Sequence, residues 1–502
     1  MNLMMLLEMA AQSAPDRLAI GTLESGLTYG RMYELAGGAA ASLRELPADR
    51  LLYTDVSSPT LPVALFGSSW AGKPFVPVSY RLADDRLRMI VTRQAPALLL
   101  HGPGAAGGSR TAGIDGVEQM ATDRFIAAAD AAGVPDADWS YDESDVAVLL
   151  HTSGTSGDPK VAVLRQKHLV SYVFGSVEFL GAGEDEATLV SVPPYHIAGM
   201  AGILTATYGG RRLVQLPDFE PQQWVRIARQ EHITHAMVVP TMLARILEVL
   251  EVDGEGLPDL RHLAYGGGRM PMPVIEQALR LLPNVGFVNA YGLTETSSSV
   301  TVLGPDDHRT ALTSDDEAVR ARLGSVGQAL PAIELSIRDP LGVPVPSGQR
   351  GEVWVRGEQV SGEYGSSTTT DTDGWFPTKD AGRLDDEGYL FLEGRIDDVI
   401  VRGGENLSPG EIEDVLLMHD AIRDAVVLGV PDTEWGEVVA AVVVAVPGQT
   451  VDGDEVRAWV AKHLRSSRAP AIVEVRDELP YTDTGKVLRR LLKPELVERY
   501  SK

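Results

Sequence analysis

The stretch HTSGTSGDPK, residues 151–160, crowds glycine, serine and threonine together ahead of a single lysine. It follows DVAVLL, residues 145–150, a short apolar run whose valines and leucines predict a buried strand. A chain leaving a strand through so many small residues can converge its backbone N–H groups on phosphate oxygens, with the lysine adding a point charge. A Walker A loop would need GxxxxGK followed by Ser or Thr. Here Asp158 and Pro159 precede Lys160 and Val161 follows it, so that motif is excluded. For this loop alone, a plain surface connection from strand to helix is the alternative.

The whole chain narrows the possibilities. Its 502 residues exceed one ordinary core, so two or more domains are expected. No window reaches the roughly 18 to 20 consecutive apolar residues of a spanning helix. The opening MNLMMLLEMAAQSAP has no basic start and carries Glu8, so it predicts an amphipathic first helix, not an export signal, and a cytoplasmic location. The absence of cysteine excludes disulfides, thiolate zinc sites and a cysteine nucleophile. A net charge of −26 without any long Lys/Arg block argues against nucleic acid as a partner. If the ligand is an anion, its cations must be individually placed.

Helix-like and strand-like stretches alternate through the first 330 or so residues, as in layered α/β proteins. Residues 160–180 and 220–231 read as amphipathic helices, and EATLVSVPP and ITHAMVVP as strands that end at proline. Beyond about residue 325, AIELSIRD and GEVWVRG predict paired antiparallel strands, a hairpin or small barrel. SGEYGSSTTTDTDG, residues 361–374, is too polar to pack and reads as a loop. The last stretch reads as a small α+β unit. Its helix SPGEIEDVLLMH can be capped by Ser408 and begun by Pro409.

Further motifs follow in order: PPYHIAG (193–199), AYGGGRMP (264–271), YGLTET (291–296), GWFPTKDAG (374–382), GRIDDVIVRGGENLSPGEIE (394–413) and YTDTGKVLRRLL (481–492). With TSGTSGDPK, this series resembles the adenylate-forming superfamily of acyl-CoA synthetases, aryl acid ligases, peptide-synthetase adenylation domains and luciferases. One such motif would be weak evidence; seven in order, spread along the chain, are strong. The resemblance implies an α/β protein with a large multi-layer N-terminal domain of helix-flanked sheets and a small β-barrel-like subdomain. A small mobile α+β C-terminal domain would follow, with the division at 1–396 and 397–502.

The same resemblance implies roles for particular residues. Thr152, Ser153, Gly154, Thr155, Ser156, Gly157 and Lys160 would cradle the β- and γ-phosphates of ATP. Glu295 would hold Mg²⁺ and Thr294 would touch the α-phosphate. Gly266, Gly267, Tyr291 and Gly292 would shape the nucleotide and acid pocket. Asp380 would accept from the ribose hydroxyls and Arg395 would reach the nucleotide. His196 would line the acyl pocket, Asp397 would be the hinge, and Lys486 would bring the acid carboxylate and the α-phosphate together. The implied activity is conversion of a carboxylic acid to an acyl-adenylate, then transfer to a thiol, with CoA the expected acceptor.

Several positions depart from the family pattern. Val161 stands where relatives often have glycine, Pro377 and Lys379 replace the arginine and glycine of GWFRTGD, and RSSRAP replaces a tyrosine–lysine run. These leave open a carrier-protein thiol, an amine acceptor, another oxyanion such as nitrite, or a silent homologue. Retention of Lys160, Glu295, Asp380, Arg395 and Lys486 argues against the silent form. PYHIAG offers no carboxylate for an α-ammonium group, and an unpaired ammonium is costly in an apolar pocket. A small aryl or short-to-medium-chain acid is therefore expected.

Overall fold

A computed structural model describes residues 1–103, 108–135, 138–152, 160–482 and 487–500. Among the described residues, two large sheets build the N-terminal part. One has nine strands and runs from Gln328–Ala329 through Ser298–Leu303, Gly286–Leu293, His262–Gly266 and His235–Val238 to Ala187–Val190, Arg212–Gln215, Leu18–Gly21 and Gly26–Thr28. The other has eight, with Lys160–Arg165 and Val146–Thr152 next to Phe75–Pro77, Arg50–Thr54, Ala97–His101 and Val117–Ala121. Most neighbours within each sheet are parallel, which needs a crossover helix between them.

These helices carry the main core. Thr60–Trp70, sequence TLPVALFGSSW, is apolar on all sides and every one of its residues is buried. A helix without a polar face is stable only when covered all round. It packs with Tyr29–Glu45 and with the opening helix Met4–Ser13, whose Met4, Leu6, Leu7, Ala10 and Ala11 all point inward. No helix among the described residues is long and apolar enough to cross a membrane.

The β-rich texture after residue 325 is a four-stranded antiparallel sheet. Glu334–Arg338 pairs with Gly351–Arg356, which pairs with Phe376–Leu384, which pairs with Leu390–Arg395. A smaller five-stranded sheet follows, centred on Gly436–Ala445 and covered by Pro409–Leu417, Gly453–His463 and Arg489–Tyr500.

Three local expectations change. Residues 160–165 are a strand; the helix starts only at Gln166 and runs to Ser176. KVAVLR alternates branched apolar residues, and pairing with Val146–Thr152 extends it. Residues 361–374 contain the short strands Glu363–Tyr364 and Ser367–Thr368, and the first of these joins the eight-stranded sheet beside Ala162. Ser408 occupies the N-cap position without capping through its side chain; its hydroxyl donates to the Glu393 carbonyl at 2.8 Å.

Candidate active site

The residues expected at the nucleotide meet around one strand pair of the four-stranded sheet. In the antiparallel pair of Phe376–Leu384 and Leu390–Arg395, Asp380 lies directly opposite Arg395. Arg395 Nη1 donates to Asp380 Oδ1 at 3.0 Å and to the Thr378 carbonyl at 3.0 Å. Tyr291, near the end of Gly286–Leu293, donates its hydroxyl to the other oxygen, Asp380 Oδ2, at 2.6 Å. Burial, and then the Asp380 carboxylate, push the Tyr291 phenol well above its ordinary pKa, so it remains a donor. Burial opposes the Arg395 charge, but Asp380, Tyr291 and Glu295 outweigh it and hold the guanidinium above its ordinary value. Asp380 is buried, and each carboxylate oxygen retains a lone pair that a ribose hydroxyl can use.

Lys379 beside it has φ of 65°, the left-handed region that glycine enters without cost. The pairing slips at this point between Glu352 and Trp354, and the Lys379 amide donates to Glu352 Oε1 at 3.2 Å. The departure from glycine therefore places an exposed cation at a position whose backbone favours glycine.

The described residues expected at phosphate and metal form a second group. Thr152 and Lys160 face each other across the hairpin and thereby define the mouth of the glycine-rich loop. Ser153, Gly154, Thr155, Ser156 and Gly157 lie outside the described residues. Lys160 is exposed, with Nζ 5.3 Å above the centroid of the Tyr364 ring. Thr294 opens the turn Thr294–Thr296, which buries Glu295. The Glu295 carbonyl accepts from the Ser361 and Gly362 amides at 2.8 and 3.3 Å, and its carboxylate accepts from the Tyr364 hydroxyl. Burial, then Glu295, raise the Tyr364 phenol far above the ordinary tyrosine value. No cluster of three or more His, Cys, Asp or Glu suited to a metal exists among the described residues. A single buried carboxylate is a donor set that suits Mg²⁺ when waters and phosphate oxygens supply its other ligands.

The glycines expected to line the acid pocket sit against neighbouring strands and side chains. A Cβ on Gly266 would come 2.3 Å from the Ala290 carbonyl of the neighbouring strand, so only glycine fits. Gly267 has φ of +76°; a Cβ there would meet Val239 Cγ1 at 3.6 Å, and one on Gly268 the Pro240 ring at 3.8 Å. Gly292 backs onto the Ser298 carbonyl. His196 occupies the N-cap position of the helix Ile197–Gly209 without a side-chain cap; its ring lies 4.8 Å from Tyr195, which in turn lies edge-on to Tyr80 at 5.8 Å.

In the C-terminal part, Asp397 is exposed in the turn Ile396–Asp398 between the last strand of the four-stranded sheet and Ile400–Arg402. Lys486 lies outside the described residues. Its flanks are anchored: Tyr481 bridges to Val487 and donates to Asp424, and Arg489 pairs with Glu413. Within RSSRAP, Arg468 binds Glu411 at 2.7 Å and Glu405 at 3.0 Å, so this departure still carries a structural cation.

The sequence reading missed two residues. Tyr364 sat in a run read as a polar loop; its signal was one aromatic among hydroxyl and acidic residues. Arg269 follows the three glycines and pairs with Asp414 on Pro409–Leu417, joining that segment to the C-terminal part. Burial raises the Asp414 carboxyl to about 6, against the pull of Arg269 and with help from Glu413 and Glu411. A folded-state pKa raised above 3.8 means extra proton uptake on folding. The associated stability is present below about pH 4 and is lost as pH rises to about 6, a term of up to about 3 kcal/mol. Measured against Asp414→Asn, wild-type melting temperature should therefore fall from about pH 4 to about pH 6.5 and then level off. A difference that stays flat with pH would show an ordinary carboxyl.

A large α/β domain followed by a small α+β domain is the architecture of adenylate-forming enzymes. The chain matches the AMP-binding enzyme family over residues 7–365 and the AMP-binding enzyme C-terminal domain over 411–486. It is 32% identical to a feruloyl-CoA synthase from an Amycolatopsis species, over 95% of this chain and 96% of that one. It is 30% identical to the fatty acid–[acyl-carrier-protein] ligase ScoC of Streptomyces coeruleorubidus, over 96% and 94%. An o-succinylbenzoate coenzyme A synthetase from Bacillus subtilis, solved with ATP and magnesium ion, superposes with a TM-score of 0.83 at 25% identity, over 97% and 99%. The chain belongs to the AMP-binding enzyme family, as an acyl-CoA synthetase-like member of the adenylate-forming superfamily. It is an AMP-forming ligase.

Proposed function

We propose that this ligase activates a flat, apolar carboxylic acid, an aryl acid before a short- or medium-chain one, and passes the acyl group to the thiol of CoA. The glycine wall supports this reading: a Cβ on Gly267 or Gly268 would meet only aliphatic carbons, of Val239 and Pro240, surroundings suited to an apolar group. The aryl-acid relative supports the same class. In the first step a carboxylate oxygen attacks the α-phosphorus and pyrophosphate leaves. In the second the thiolate attacks the acyl carbon and AMP leaves.

Asp380, with Tyr291 and Arg395 around it, orients the ribose; Lys160 and the loop from Thr152 through Gly157 hold the departing phosphates. Mg²⁺ at Glu295 would neutralise charge on the leaving pyrophosphate. Lys486, carried on the C-terminal domain beyond the hinge at Asp397, brings two anions together. A carrier-protein phosphopantetheine is the second reading, supported by the ScoC relative. Pyrophosphate release with ATP and Mg²⁺ across aryl, short-chain and medium-chain acids and nitrite, with and without CoA, tests both. Acid-dependent release with an aryl-CoA product is the expected outcome. Release with nitrite, or without any thioester, would replace this reading.

A further inference from the structure

We propose that Tyr364 is a positioning residue that ties the metal carboxylate Glu295 to the phosphate-loop cation Lys160. The inference rests on the roles just proposed for those two residues. A phenol and its ring serve them separately: the hydroxyl donates to Glu295, and the ring face lies 5.3 Å beneath the Lys160 ammonium. The segment around Tyr364 is fastened on both sides. Tyr364 pairs with Ala162, two residues beyond Lys160, and the Gly365 amide donates to the Val161 carbonyl at 3.0 Å. Glu363 takes two hydrogen bonds at 2.8 Å from Arg165. On the other side, the Ser361 and Gly362 amides hold the Glu295 carbonyl.

The arrangement has a chemical use. A buried carboxylate needs a donor to fix one oxygen if the other is to be aimed at a cation. A lysine on a flexible stem needs a surface that orients it without a competing anion, and an aromatic face provides one. One side chain thus sets the spacing of both contacts to the triphosphate before the nucleotide arrives.

The test separates the two contacts by calorimetry of ATP binding in the absence of acid, with and without Mg²⁺, on wild type, Tyr364→Phe and Tyr364→Leu. Tyr364→Phe keeps the ring, so metal-free ATP affinity should stay within about twofold while the gain from Mg²⁺ falls about tenfold, as for loss of a hydrogen bond to a charged group. Tyr364→Leu should lose the same Mg²⁺ gain and also about threefold in metal-free affinity. Tyr364→Phe with an unchanged Mg²⁺ gain overturns the proposal, even if its melting temperature falls. Wild-type protein that binds no ATP overturns instead the roles of Glu295 and Lys160 on which it rests.

Discussion

Lys486→Ala is expected to abolish acid-dependent pyrophosphate release while sparing thioester formation from supplied acyl-adenylate. The adenylation step brings a carboxylate against a polyphosphate, and two anions near contact repel by several kcal/mol at an effective dielectric of about 20. One ammonium touching both removes that repulsion where it is greatest, so its loss should cost at least about 100-fold in the first half-reaction. The second half-reaction joins a thiolate to an already neutralised acyl group and needs no such bridge. Pyrophosphate release with ATP and acid measures the first, and CoA consumption with synthetic adenylate the second. If both half-reactions fall together, or both survive, Lys486 does not have this role.

Gly292→Ala should destroy nucleotide binding by a different route. A Cβ at this position would lie 1.8 Å from the Ser298 carbonyl oxygen, 2.5 Å from its carbon and 2.8 Å from Ser299 Cα. All three are backbone atoms of the partner strand, so no side chain can swing away. Overpacking usually costs about 1 to 3 kcal/mol, and a clash against backbone belongs at or above the upper end. The strands Gly286–Leu293 and Ser298–Leu303 would separate just where Tyr291 precedes and Glu295 follows. Both the contact to Asp380 and the buried carboxylate would move. The expected result is a lowered melting temperature and no measurable ATP binding. Gly175→Ala is the control: it lies in the helix Gln166–Ser176 with nothing within 4 Å of a Cβ, and should change stability by no more than about 0.5 kcal/mol. Normal ATP binding by Gly292→Ala would show that the nucleotide does not depend on this strand contact.

Tyr364 and Arg269 mark the limit of what a single chain of letters can convey. DVAVLL, AIELSIRD and GEVWVRG announce strands because apolar residues at the strand period need covering whatever covers them. The opening helix and the helix after Ser408 are legible for the same reason, as is the alternation of α and β that leads to layered sheets. The residues proposed for phosphate, ribose and metal could be named from the sequence, since each sits in a motif of a few consecutive residues, but their roles come from the family resemblance. KVAVLR was misread as helix because six residues satisfy either period, and only the pairing with Val146–Thr152 decides between them.

Assembly of those pieces belonged to the tertiary structure. Asp380 meets Tyr291 across 89 positions of sequence, Tyr364 meets Glu295 across 69, and Arg165 meets Glu363 across 198. Such contacts leave no local periodicity, because each partner's own neighbours would read the same without it. The sequence by itself determined the chemical groups and the faces they would have to bury. Only the fold decided which of them met, because the energy of a hydrogen bond or ion pair depends on distances that are set when the whole core closes.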